Sequence, residues 1–271
     1  MTLNATVLSQ PDSRWVADIR PSPNIGPRQR GLKPTILIMH YTGMASAAKA
    51  IDWLARPESH VSCHYVIDED GRITQMVAEQ TRAWHAGVAY WLGETDINSA
   101  SIGIEIQNPG HDDGYHPFGR AQMRGVRDLA RDIIARHDIA PECILAHSDV
   151  APGRKIDPGE KFDWRWLANA GVGHWVEPTA HDRQYPGADL GPHTPETRRL
   201  QELLLQYGYN VSGSTDFDKA LQVNVKAFQR HFRPHRVDGL IDQSTLQTLE
   251  TLVSALPKSR LRPRRPGTTR T

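Results

Sequence analysis

Residues 35–39, Thr-Ile-Leu-Ile-Met, form a short unbroken apolar run, the pattern of a strand buried on both faces. Between 46 and 56, Ala47, Ala50, Ile51 and Leu54 recur at i, i+3, i+4 and i+7 and Pro57 stops the run, which predicts a helix. Residues 63–67 and 72–77 flank Asp68-Glu69-Asp70-Gly71, a hairpin signal in which glycine supplies positive φ. The segment 101–106 alternates as a further strand. From 120 to 137, Met123, Val126, Ala130, Ile133 and Ile134 fall on one side of a long helix. A short strand at 143–146 and a last helix at 163–170 complete the run. Strands interleaved with helices predict a mixed α/β domain over about 1–175, with a central sheet flanked by helices. Its first part, residues 1–33, is broken by Pro11, Pro21, Pro23, Gly26, Pro27 and Gly31 and reads as an arm wrapping the domain.

Residues 176–193, rich in Pro, Gly, His and Asp with no apolar period, read as a linker that leaves the two sides to act separately. The period then changes to that of three helices. Thr194 is the expected N-cap of the first, with Pro195 at its first position; Leu200, Leu203, Leu204 and Tyr207 form its stripe and Gly208 ends it. Asp216 is the expected N-cap of the second, striped by Leu221, Val225, Phe228 and Phe232. The third follows Asp242, with Leu246, Leu249 and Val253 inward. Residues 194–256 thus form a small three-helix domain, and 257–271 a basic, solvated, disordered tail.

Composition changes this picture little. With 271 residues, 38% apolar and 23% charged, the chain is that of an ordinary globular protein. Lys and Arg number 32 against 31 acidic residues, so no overall charge argues for nucleic acid. The 2 cysteines, Cys63 and Cys143, are too few for a disulfide framework or a cysteine zinc site and read as buried thiols. No stretch reaches the roughly 20 apolar residues of a membrane span. The N-terminal residues lack the basic and apolar regions of a secretory signal, which predicts a cytoplasmic chain, or a periplasmic one if a leader has been removed. The 13 histidines point towards metal or acid/base chemistry.

His40 follows the buried strand 35–39, and His147 ends the strand 143–146 in the same way; Asp157 comes ten residues later in a Gly/Pro loop. Two imidazoles and a carboxylate can hold Zn²⁺ tetrahedrally with a fourth position for water. Glu105 alternates with Ile104 and Ile106 on an otherwise buried strand. It is either the exposed face of an edge strand or a general base near the metal. Lys155, two residues before Asp157, can approach an oxyanion formed beside it.

Four segments carry a resemblance: His40-Tyr41-Thr42, Trp84-His85-Ala86-Gly87, Ser101-Ile-Gly-Ile-Glu105, and the run from His147 through Lys155 and Asp157 to Gly159. In order and spacing they resemble the motifs of the type 2 N-acetylmuramoyl-L-alanine amidases over about residues 34–170. The resemblance implies the amidase 2 fold and a zinc hydrolase of peptidoglycan or muropeptides. Its ligands would be His40, His147 and Asp157, its base Glu105, its oxyanion stabiliser Lys155, and its groove residues Trp84 and His85. Segments beginning at Leu200, Val225 and Val237 resemble a three-helix peptidoglycan-binding domain. A recognition protein without catalysis and a zinc endopeptidase of the stem peptide are the competing functions; the intact ligand set disfavours the first. Of the other candidates, His64 reads as a packed structural histidine, and Trp164 and Trp166 as anchors of their helix to the sheet. His111, His116, His174 and His181 read as exposed loop residues.

Overall fold

The computed structural model describes residues 8–179, 194–211 and 218–257. In chain order the strands are β1 (Asp18–Ile19), β2 (Ile25–Pro27), β3 (Ile36–Tyr41), β4 (Tyr65–Ile67), β5 (Ile73–Gln75), β6 (Thr81–Ala83), β7 (Ser101–Ile106) and β8 (Ile144–Ala146). The helices are α1 (Ala47–Leu54), α2 (Ile97–Ala100), α3 (Arg120–His137), α4 (His147–Val150), α5 (Trp164–Asn169), α6 (Pro195–Tyr207), α7 (Lys219–Phe232) and α8 (Gln243–Ser254). None of the described helices is long and apolar enough to cross a membrane.

Six strands form one mixed sheet in the order β1-β5-β4-β7-β3-β8, and β2 and β6 pair as a separate antiparallel ribbon. The neighbouring strands β4, β7, β3 and β8 run parallel, with β8 at the edge. Parallel strands are covered on both faces, which explains the unbroken apolar runs: Leu37, Ile38, Met39, Ile102 and Ile104 are fully buried. Helix α3 lays Met123, Val126, Leu129, Ala130 and Ile133 on this core and ends at Asp138 in the left-handed conformation. Ser46 caps α1 and Asp163 caps α5, each accepting from a backbone N–H three residues on.

Some expectations change. The strand expected at 35–39 continues through His40 and Tyr41 because β7 supplies a full set of partners for it. The elements β1, β2, β6 and α2, of two to four residues, are too short for any period to announce them. Asp218 caps α7, its side chain accepting from Leu221 N–H, whereas Asp216 lies outside the described residues. So do His181, residues 180–193 of the expected linker and 258–271 of the expected tail.

The three C-terminal helices share one continuous apolar core with the sheet, from Ile36 to Leu256. Trp164 lies in that shared core, and its ring also stacks at 3.8 Å on His231 of α7. Trp166 sits under the Arg127 guanidinium of α3. Trp91, on the loop after β6, meets Tyr207 and Tyr209 edge-on at 6.0 and 5.0 Å, and Leu92 N–H donates to the Gly208 carbonyl. His174, expected in an exposed loop, instead hydrogen-bonds the Tyr207 hydroxyl at 3.0 Å. Through these contacts the helices bury aromatic surface of the sheet domain as well as their own.

Candidate metal centre

The C-terminal ends of parallel strands are where a sheet presents side chains to a crevice. His40 leaves β3 there, and the register pairs it with Glu105 on β7, so the two stand side by side. His147 opens α4 immediately after β8, which pairs with β3 through Met39 and Ala146. The loop after α4 returns Asp157, whose carbonyl accepts from Ser148 N–H at 3.1 Å. All face a cleft of about 630 Å³, which Tyr41, Trp53, Trp84, Arg154 and Lys155 also line.

The three candidate ligands form a nearly regular triangle. His40 Nδ1 lies 2.9 Å from His147 Nδ1, and Asp157 Oδ2 lies 3.0 Å from each. Ligands about 2.0 Å from a tetrahedral ion stand about 3.3 Å apart, so the triangle matches such an ion with slight contraction.

Hydrogen bonding fixes which nitrogens are bare. Ser101 donates its hydroxyl proton to the Ile97 carbonyl at 2.6 Å, so its oxygen accepts from His85 Nε2–H at 3.2 Å. His85 Nδ1 is then an acceptor and takes the His40 Nε2–H at 3.0 Å, leaving His40 Nδ1 with a lone pair. His147 donates Nε2–H to the Ala86 carbonyl at 3.1 Å, which leaves its Nδ1 bare as well. Two lone pairs and a carboxylate oxygen thus point at one another, an arrangement that needs a cation to be stable. Burial, reinforced by His147, lowers the His40 pKa to about 4, so the imidazole is neutral at pH 7. Burial opposes ionisation of Asp157, but the two imidazoles outweigh it and hold the carboxyl below its usual range.

Both outer partners, His85 and the Ala86 carbonyl, belong to the single segment 84–87, and β7 is shaped to receive it. A Cβ at Gly103 would lie 2.5 Å from the His85 ring. Arg154, given no role by the sequence, donates to the Ala86 and Val88 carbonyls and lies over Gly87, whose φ is +60°. His85 packs behind His40 and is only 9% exposed, and both it and Trp84 line the cleft.

Glu105 is not on an edge, because β7 lies between β4 and β3. Burial, reinforced by Asp157, pushes its carboxyl well above the ordinary range, and Lys155 opposes this. Its Oε2 is buried with no hydrogen-bond partner among the described residues. The exposed Lys155 side chain lies along the cleft, close enough to disfavour charge on His40 as well.

Other residues depart from their expected places. His111 is a bridge: Tyr41 donates its hydroxyl to Nδ1 at 3.2 Å, and Nε2–H donates to Glu160 at 3.1 Å. Trp53, 42% exposed on α1, presents an aromatic ring to the cleft. Its exclusion from the apolar stripe of residues 46–56 was the available signal. His64 is fully buried, its Nδ1 accepting from Gly103 N–H at 3.0 Å, which is a structural role. Cys63 and Cys143 are both buried and neither is in a disulfide among the described residues.

The N-acetylmuramoyl-L-alanine amidase family profile matches residues 30–160, and a peptidoglycan-binding domain profile matches residues 193–249. N-acetylmuramoyl-L-alanine amidase AmiD of Escherichia coli (strain K12) is 40% identical over 234 residues, which cover 80% of this chain and 82% of that protein. The structure of E. coli AmiD with anhydro-N-acetylmuramic acid-L-Ala-D-γ-Glu-L-Lys aligns with a TM-score of 0.70 at 38% identity, over 83% of this chain and 91% of that one. AmpDH3 from Pseudomonas aeruginosa, in complex with anhydromuramic pentapeptide, aligns at 0.71 and 34% identity, over 83% of this chain and 93% of that one.

Proposed function

This chain belongs to the N-acetylmuramoyl-L-alanine amidase family, and from that membership we propose that it hydrolyses the amide between the lactyl group of N-acetylmuramic acid and the L-alanine of the stem peptide. Peptidoglycan and the anhydro-muropeptides released from it are its substrates, and cell-wall turnover or recycling its setting. The observation that carries this reading is Glu105, whose Oε2 is buried with no hydrogen-bond partner among the described residues, beside a triangle of two imidazoles and a carboxylate.

His40, His147 and Asp157 would hold the zinc ion. When bound there it supplies Lewis-acid polarisation of the scissile carbonyl and a lowered pKa for water. Glu105 takes the proton from the attacking water and hands it to the departing L-alanine amine. Desolvation suits it to the task, since a raised pKa makes the carboxylate a stronger base. Lys155 stabilises the oxyanion that develops as the water adds. Trp84 offers its ring to the sugar or the lactyl end of the substrate. Residues 1–175 form the catalytic part, 176–193 the connection, 194–256 the peptidoglycan-binding helices and 257–271 the basic tail.

Mass spectrometry of a zinc-loaded digest of anhydro-muropeptides tests the reaction. Free stem peptides beginning with L-alanine are expected. Fragments cut within the stem, or intact substrate, would overturn the assignment. Removal of metal by a chelator should abolish turnover, and zinc should restore it.

A further inference from the structure

One buried carboxylate ties the C-terminal helices to the turn that carries a metal ligand. Asp149 lies in α4, two residues after His147, and is 1% exposed. Its Oδ2 accepts Ala146 N–H at 2.8 Å and His231 Nδ1–H at 2.6 Å, and its Oδ1 accepts the Tyr209 hydroxyl at 2.7 Å. The first bond closes the α4 turn across His147; the other two come from α7 and from the segment after α6. His231 is held in one orientation, its ring stacked at 3.8 Å on Trp164 and at 3.9 Å on Phe232. Tyr209 is held by its contact with Trp91.

A module that only tethers the enzyme to the wall needs no such bonds. Two of the three donors to a fully desolvated carboxylate come from the C-terminal helices. Without them its charge would be stranded beside a ligand-bearing turn. A displaced His147 would lose both the Ala86 bond and the triangle, because α4 is a single turn with little stiffness of its own.

We propose that Tyr209 and His231 are positioning residues of the metal centre, acting through Asp149 on the α4 turn, so that the three-helix module is part of the catalytic apparatus. The inference rests on the reading of His40, His147 and Asp157 as metal ligands.

The test uses the full chain with Tyr209→Phe or His231→Gln, beside Leu249→Ala, which opens the core of the helices away from Asp149. Zinc affinity is measured by chelator competition, the visible spectrum of the cobalt(II)-substituted protein reports ligand geometry, and thermal melting reports global stability. Tyr209→Phe keeps the ring and its packing, so it isolates the loss of one hydroxyl. Both seam variants should weaken zinc binding by about tenfold or more and shift the cobalt bands. Leu249→Ala should leave both unchanged despite an equal or larger fall in melting temperature. Affinities within twofold of wild type and an unshifted spectrum in both seam variants would overturn the inference while the metal reading stands. Absence of zinc and cobalt binding in the wild type would overturn the metal reading and this inference with it.

Discussion

A glutamate in the middle of a parallel sheet is costly to bury, and Glu105 keeps one oxygen there without a partner. Glu105→Gln retains shape and most polarity while removing the base. Turnover should fall by about 10²–10⁴-fold with zinc content unchanged by atomic absorption; a fall below about tenfold would show that another group takes the proton. His85 invites a different experiment. His85→Leu leaves the His40 Nε2–H without its acceptor, so zinc affinity should drop about 10–100-fold. Undiminished affinity in a chelator titration would show that the orienting chain from Ile97 through Ser101 and His85 is idle. These residues also mark the limit of what a sequence discloses. His40, His147 and Glu105 were legible because each is a polar residue where an apolar strand ends or where its alternation breaks, and Asp157 because it follows His147 closely in a Gly/Pro loop. The role of His85 was not, since it depends on Ser101 and Ile97, and no spacing reveals which nitrogen of a ring carries the proton.

Elements of six residues or more announced themselves through their period, and the helix over 120–137 has the bounds expected for it. The arm is harder to read, because the short pairings β1–β5 and β2–β6 and the side chains that hold it follow no period. Arg28 sends its guanidinium inward to the carbonyls of Glu79, Ser99 and Ser101, with bonds of 2.7–3.0 Å. Burial lowers its pKa to about 10, so it remains charged at pH 7. A lysine has one nitrogen and cannot span these carbonyls. Arg28→Lys should therefore lose at least about 2 kcal/mol in urea unfolding; a loss under about 0.5 kcal/mol would show that the arm is held elsewhere. Glu79, which the arm thereby fixes, joins three elements. Burial opposes its ionisation, but donors from His137, Arg136 and Tyr65 outweigh it and lower its pKa to about 2 from 4.5. Its stabilising effect is therefore complete above pH 4.5 and is lost as the pH falls towards 2. The stability gap between wild type and Glu79→Gln, on the order of 3 kcal/mol at pH 7, should shrink between pH 4.5 and 2. A gap independent of pH would exclude the ion-paired carboxylate as its source.

At the scale of the whole molecule, the three C-terminal helices were legible one by one, but their docking was not. Trp91, Asp149, Tyr209 and His231 are unremarkable in separate stretches of chain and acquire meaning only where α7 meets α4. The same long reach governs the metal centre. His40 and His147 are 107 residues apart in sequence and meet because β3 and β8 are neighbours in the sheet. Closing a loop of that length is an entropic cost of chain folding, borne when the strands pair and before a third ligand can join. An ion bound by all three would thus act as a clasp fastened last, after the rate-limiting pairing. Zinc at about 100 times its dissociation constant should add about 2.7 kcal/mol of stability. In stopped-flow measurements that gain should appear as slower unfolding, with the refolding rate unchanged; faster refolding would mean that the ion recruits the strands. A late clasp of this kind makes metal loading a report on completed folding: a chain with β3 and β8 unpaired has no place to keep the ion, and so no power to cut the wall.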